Sequence, residues 1–325
     1  MNHTARQALY QAIEAERDST VIAFVTGERP GLETQIAGDG VTPFVSMLDT
    51  VGPQKRLSLL LDTYGGQTSA AWRIINLVHS FCDELEVIVP TKAMSAGTLM
   101  ALGADKIVMT KQAALGPIDP SLPNHPLAPM TSSATGLPAR VPVSAEAVRG
   151  YMDEVKKDVT DPASLAAVWT HLASNIHPLV LGDVFRAGGQ IRDLASELIG
   201  RQVADETKQQ AIIQLLCSDS GSHDYTINRR KAADIGLNVE KPSAQLYGLL
   251  TQVVQSWTSE LETYVPFSHS ALLGGHAAAN YTLIRGLVES RIDSYGFVTE
   301  GQVNVAPTGL PNVVDQRTFE GWRKL

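Results

Sequence analysis

At 325 residues, with 44% apolar and 18% charged residues, the chain is long enough for one large domain or a domain with an appendage, and its composition excludes broad disorder. A net charge of -8, with Lys and Arg scattered along the sequence, gives no electrostatic reason to expect a polyanion partner, and no nucleic acid is expected. Cys82 and Cys217, each in a stretch read as apolar and helical, give neither a disulfide framework nor a metal-ligand spacing; buried thiols are expected, and no metal or cofactor. Residues 1–18 predict an amphipathic helix rich in Glu rather than an apolar signal core, followed by a strand over 19–25 and a Gly/Pro loop over 26–31. A short helix is expected over 41–50. From 56 to 109 the pattern alternates: strand 56–62, helix 67–81, strand 84–90, helix 95–103, strand 105–109. Such alternation implies parallel strands with right-handed crossovers.

Residues 120–143 read as a loop-rich insert, with Pro at 120, 123, 126, 129, 138 and 142. Helices follow over 144–158, 163–175, 178–201 and 205–217, then a short strand running into a helix over 222–236. The tail from 245 predicts a long helix, a Gly/Ala-rich stretch over 271–279, and strands near 295–306. The domain reading is an N-terminal helix over 1–18, a main domain over 19–240, and a C-terminal helix and tail over 241–325 serving as an oligomerisation element. No run of about eighteen apolar residues occurs, so a soluble, cytoplasmic protein without a membrane span is expected.

Two short stretches, Thr63-Tyr64-Gly65-Gly66 and Ala93-Met94-Ser95-Ala96-Gly97, each follow an apolar run and open a helical pattern. Glycines at a strand end let backbone N–H groups turn outward, and a serine at the next sharp turn can meet an acyl carbon held against them. The plain alternative is that Ser95 only caps a helix and that Gly65-Gly66 is an ordinary loop.

With Leu115-Gly116-Pro117-Ile118-Asp119-Pro120 as a third motif, the chain resembles the serine dehydrogenase proteinase family of the Clp-protease/crotonase superfamily, related to signal peptide peptidase A. The resemblance covers about residues 7–262. It implies an α/β fold, a Clp-protease/crotonase-like spiral of β-β-α units with added C-terminal helices. It further implies Ser95 as nucleophile, oxyanion donors from Gly66 and Ala96, and substrate contacts along Gly65, Gly66, Ala96 and Gly97. Asp224-Tyr225-Thr226-Ile227, ahead of Lys231-Ala232-Ala233-Asp234-Ile235-Gly236-Leu237, resembles the Clp proteolytic subunit around its triad aspartate, which places Asp224 as third triad member.

The family pattern breaks at the base. The position where the Clp subunit keeps its histidine holds Asp119, and the segment where the signal peptide peptidase relatives keep a lysine offers Arg140, which stays charged. His177, between two predicted helices, has a suitable intrinsic pKa, with Asp224 or Asp119 to orient it, but could equally cap the helix before it. His223, His125 and Lys92 are weaker alternatives, and Lys156 and Lys157 belong to a charged helix face. Asp119 serves either as a base or by accepting N–H groups in its own turn. The function expected is a cofactor-independent serine peptidase acting on a peptide or protein, as a homo-oligomer. The alternatives are a crotonase-type acyl-CoA enzyme, which shares the oxyanion geometry without a serine nucleophile, and a non-catalytic peptide-binding or assembly protein.

Overall fold

The computed structural model describes residues 2–118, 121–122, 125–132, 138–217, 225–306 and 313–325. In chain order the elements begin α1 (His3–Arg17), β1 (Thr20–Thr26), α2 (Val41–Val51), β2 (Gln54–Asp62), α3 (Thr68–His79), β3 (Cys82–Val89), β4 (Lys92–Ala93), α4 (Ala96–Leu102), β5 (Lys106–Met109) and β6 (Ala114–Leu115). Short strands β7 (Ser121–Leu122), β8 (Met130–Ser132), β9 (Pro138–Arg140) and β10 (Val143–Ser144) precede the helices α5 (Ala145–Asp158), α6 (Pro162–Asn175), α7 (Pro178–Ile199) and α8 (Glu206–Cys217). The chain closes with β11 (Ile227–Asn228), α9 (Arg229–Asp234), β12 (Val239–Glu240), α10 (Ala244–Glu260), α11 (His269–Leu273), β13 (Ala278–Ser290), β14 (Ser294–Val305) and β15 (Val313–Lys324). The α/β class expected from the sequence is borne out.

Two compact units divide the chain: residues 1–116, 198–204 and 226–325 form the first, and 117–197 with 205–225 the second. The first unit is built on an eight-stranded sheet of order β12-β5-β3-β2-β1-β13-β14-β15. From β12 to β1 the strands run parallel, and β13 onward they alternate antiparallel. Strands β1, β2 and β3 are buried on both faces over most of their length, as parallel strands covered by crossover helices must be. On one face Val21, Ala23, Val25, Leu60, Ile88 and Val108 pack with Tyr10 and Ile13 of α1 and with Leu246, Leu250, Val253 and Trp257 of α10. Each large side chain so buried contributes about 1.5–3 kcal/mol. A three-stranded sheet of order β11-β6-β4 leads directly into the Ser95 turn.

A polar knot sits inside this core. Arg6 of α1 is fully buried and donates from Nε and Nη2 to the Glu289 carboxylate on β13, at 2.8 and 2.7 Å. Its Nη1 reaches Ser256 and Glu260 of α10. Tyr10 and Ser294 donate hydroxyl protons to the same carboxylate. Arg6 thereby ties α1 to both β13 and α10.

The second unit carries its own small core of Ala128, Val143, Ala145, Val148, Val180, Leu181 and Val184. Ser144 and Asp161 cap α5 and α6, accepting the N–H groups of Ala147 and Ser164. The segment read as a loop-rich insert contains two antiparallel pairs, β7 with β10 and β8 with β9.

Two sequence expectations change. Cys82 starts β3 rather than ending a helix; burial pushes its thiol up to about 11, which leaves it protonated and unreactive at neutral pH. Strand structure in the tail extends well past 295–306, over β13, β14 and β15. β15 is polar and largely exposed, so it carries no apolar run to betray it; its ladder with β14 holds it in place.

Candidate active site

The site is built where β2 ends. Thr63 continues β2 by pairing with Ala93: its N–H donates to Lys92 O at 3.1 Å, and Met94 N–H returns to Thr63 O at 3.0 Å. The buried Thr63 hydroxyl accepts the Gly65 N–H at 2.9 Å and hydrogen-bonds to the Thr26 hydroxyl at 2.7 Å. On the other side, Ile36 N–H donates to Gly65 O and Gln67 N–H to Ile36 O, both at 2.8 Å. These bonds pin the loop and consume the polar groups around Gly66. Gly66 N–H itself has no acceptor among the described residues.

Both glycines are required by geometry. A Cβ on Gly66 would lie 2.2 Å from Ile36 O, inside the pairing that holds the loop. A Cβ on Gly65, whose φ is +106°, would lie 2.6 Å from Met94 O, 2.8 Å from Ser95 Cβ and 3.0 Å from Ala96 N. The loop therefore runs in contact with the turn that carries Ser95.

Ser95 links β4 to α4 at φ 50° and ψ -116°. A non-glycine residue in this region is strained, at a cost of about 1–3 kcal/mol, and such strain concentrates at functional turns. A sharp strand-to-helix turn of this kind can present a serine hydroxyl away from the helix it precedes. Ser95 stands at the N-cap position, yet its side chain makes no capping bond, and its hydroxyl is half-buried without a hydrogen-bond partner among the described residues. The simple capping explanation for this serine is removed. Next to it, Ala96 N–H also lacks an acceptor among the described residues, as the first N–H of a helix does. Buried Thr98 secures the turn from behind: its hydroxyl lies 2.7 Å from Ala93 O and accepts Gly116 N–H at 3.0 Å. Gly97 donates to Met94 O at 2.8 Å. Chemically, the arrangement offers one hydroxyl and two backbone donors on adjoining turns, none with a partner among the described residues.

Lys92, three residues before Ser95, points elsewhere. Its Nζ lies 2.9 Å from Glu28 Oε1 and 3.4 Å from Asp62 Oδ1, with the Tyr64 ring centroid at 4.9 Å. Thr91 Oγ1 donates to the other Asp62 oxygen at 2.5 Å. Burial raises the pKa of both carboxylates, with Lys92 partly offsetting it. For Lys92, burial acts to lower the pKa, but Asp62 and Glu28 outweigh it and the net shift is upward. The ammonium thus holds its proton and is no base for Ser95. The cluster borders a cavity of about 110 Å³ lined also by Trp257, Leu261 and Tyr264.

Among the other expected site residues, Gly65, Gly66, Ser95, Ala96 and Gly97 are brought together in the first unit. His177 belongs to the second unit, is exposed, and accepts the Leu179 N–H on Nδ1 at 3.2 Å, at the start of α7. His125 is held by Asp183 at 3.1 Å, and Arg140 donates to Ala128 O. Lys156 and Lys157 make exposed pairs one helical turn apart with Asp153 and Glu154. Asp119, His223 and Asp224 lie outside the described residues. Of the first unit's histidines, His3 bonds Ser290 O, His79 bonds Gly103 O and His269 pairs with Asp315. Sequence reading missed Thr63 and Ile36 as supports of the loop. Thr63 belongs to the same four-residue stretch as the Gly-Gly pair and was within reach of a motif argument, whereas Ile36 carries no local signal.

Residues 1–136 match the family of ClpP-like SDH-type serine proteinases. The resemblance read from the three motifs, all inside that stretch, is borne out. The uncharacterized protein MJ0137 of Methanocaldococcus jannaschii is 28% identical over 246 residues, 73% of this chain and 73% of that protein. Among solved structures, a mutant of the 1510-N membrane-bound stomatin-specific protease in complex with a substrate peptide aligns at 16% identity. It covers 69% of this chain and 75% of its own, with a TM-score of 0.33. ClpP1 from Listeria monocytogenes aligns at 12% identity over 74% of this chain and 99% of its own, with a TM-score of 0.37. No helix among the described residues is long and apolar enough to cross a membrane, and none of their His, Cys, Asp and Glu side chains form a metal-binding group.

Proposed function

We propose that this chain hydrolyses peptide bonds through a Ser95 acyl-enzyme. The observation that carries the reading is the strained Ser95 turn, whose hydroxyl makes no capping bond, beside the N–H groups of Ala96 and Gly66, which have no acceptor among the described residues. In this mechanism Ser95 Oγ attacks the scissile carbonyl and its proton passes to a base. The Gly66 and Ala96 N–H groups hold the oxyanion, each donor accounting for about a hundredfold or more in rate. The protonated amine leaves, water attacks the ester, and serine is regenerated. Candidates for the base and its orienting acid are His177, Asp224 and Asp119. An extended substrate would lie along the Gly65-Gly66 edge and take main-chain hydrogen bonds there. A crotonase-type reaction would need no strained serine.

The test is labelling with a fluorophosphonate, followed by intact mass from about pH 5 to about pH 9. Wild type is compared with Ser95→Ala, His177→Ala, Asp119→Asn and Asp224→Asn. Labelling that vanishes in Ser95→Ala and rises through neutral pH supports the peptidase. Whichever second variant loses the neutral limb identifies the base. No labelling of wild type at any pH counts against an activated serine and favours the non-catalytic reading.

A further inference from the structure

Charge in the first unit is mostly paired. Arg6, Arg17, Arg29, Arg56, Lys92, Lys106, Arg201, Arg285, Arg291, Arg317, Arg323 and Lys324 each meet a carboxylate. Lys55 and Arg73 apart, the remaining Lys and Arg side chains of this unit, Lys111, Arg229, Arg230, Lys231 and Lys241, make no ion pair among the described residues. Four of these five converge: Lys111, Arg229, Arg230 and Lys241 line one concavity of about 560 Å³, with Asn228, Ala233 and Val239 and no carboxylate among its described lining residues.

The fold explains the convergence. β12 pairs parallel with β5, so Lys241 and Lys111, just past the ends of those strands, emerge at the same edge of the sheet. The β11–α9 turn brings Arg229 and Arg230 beside them, and Arg229 is fixed by donating to Met109 O at 3.1 Å. Lys111 rests on the Tyr247 ring at 5.0 Å. The N–H groups that open α9 are already satisfied by the Asn228 side chain, so the recognition elements here are the cationic side chains. Ligands of open α/β sheets bind at this carboxyl-end edge.

We propose that this concavity binds a small, multiply charged phosphate anion. Two guanidinium forks and two ammonium groups around a ligand-sized hollow suit phosphate oxygens, which Arg takes in pairs and Lys as a point charge. Four cations held together with no counter-charge among the described residues lining the hollow, in a chain of net charge -8, repel one another until an anion fills the space between them. The site is separate from the chemistry at Ser95 and stands whether or not that reading holds.

The experiment is isothermal titration calorimetry of the full chain with inorganic tripolyphosphate, with ATP, and with a short oligoglutamate, at about 50 and about 200 mM salt. Wild type is compared with Arg230→Gln, Lys241→Gln and the double variant, with Lys55→Gln as a control. Arg229 is left alone because it also holds backbone. The expected result is saturable tripolyphosphate binding that weakens with salt, drops roughly tenfold or more in the double variant and is unchanged in Lys55→Gln. Equal affinity for ATP and tripolyphosphate assigns the site to the phosphate chain alone, and tighter ATP binding assigns it to a nucleotide. Absence of binding by both phosphates, equal binding by the double variant, or preference for oligoglutamate overturns the proposal. Matching thermal unfolding of all variants establishes that folding is not the cause.

Discussion

Gly65 lies against Ser95 so closely that a methyl group on it would stand 2.8 Å from the serine Cβ and 3.0 Å from the Ala96 nitrogen. The Gly65 loop and the Ser95 turn, already joined through the Thr63–Ala93 pairing, therefore also touch directly at this glycine. Gly65→Ala is expected to force them apart. Labelling of Ser95 should slow by about a hundredfold or more, the scale of one lost oxyanion donor. The fold should lose about 1–3 kcal/mol from a side chain held at φ +106°. A variant that labels at the wild-type rate would show that the contact does not govern the site.

Ser95 separates strain from capping. Ser95→Gly relieves about 1–3 kcal/mol of backbone strain and adds about 0.5–1 kcal/mol of unfolded-chain entropy. The net expectation is a neutral or raised melting temperature together with complete loss of labelling. A serine that capped α4 would show the reverse, with thermal stability falling when its side chain is removed.

Lys92→Met leaves Glu28 and Asp62 without their cation. Burial already raises both carboxyl pKa values in the wild type, and removing the ammonium raises them further. A carboxyl whose folded-state pKa lies above its unfolded value is least costly when protonated, below the unfolded pKa, and its contribution is lost as pH rises through the folded pKa. The stability deficit of Lys92→Met relative to wild type should thus be small near about pH 4 and grow toward about pH 8. Thermal unfolding of both proteins across that range checks this; a deficit constant with pH would show that the carboxylates are not the cause.

Arg6 and Glu289 are both fully buried, so removing one partner strands a charge in the core. Arg6→Met is expected to cost about 3–5 kcal/mol in denaturant unfolding. Arg6→Met/Glu289→Leu should recover part of that loss. The measurement is a double-mutant cycle, and additive losses would show that the pair is not coupled.

Much of the first unit was legible because parallel strands and their helices are local. The strand-like runs read at 19–25, 56–62 and 84–90 declare their period within a window of residues, and β1, β2 and β3 fall on them within about two residues. The C-terminal strands were less legible. β15 is largely exposed and charged, and only its ladder partner makes it a strand. Ile36 was illegible for the same reason: its role is a pair of backbone hydrogen bonds to a loop far along the chain, to which its side-chain type contributes nothing.

By itself the sequence determined the α/β class, the alternation of strands and helices between residues 19 and 109, and a turn between strand and helix at Ser95, since each follows from local periodicity or backbone freedom. Only the tertiary structure decided that Ser95 is strained and caps nothing, and that Lys92 turns away to two carboxylates. It also decided that cations at 111, 229, 230 and 241, scattered in sequence, meet in one hollow. Dihedral strain, ion pairing and charge concentration depend on which chain segments come within a few ångströms of each other. Strand pairing sets that proximity.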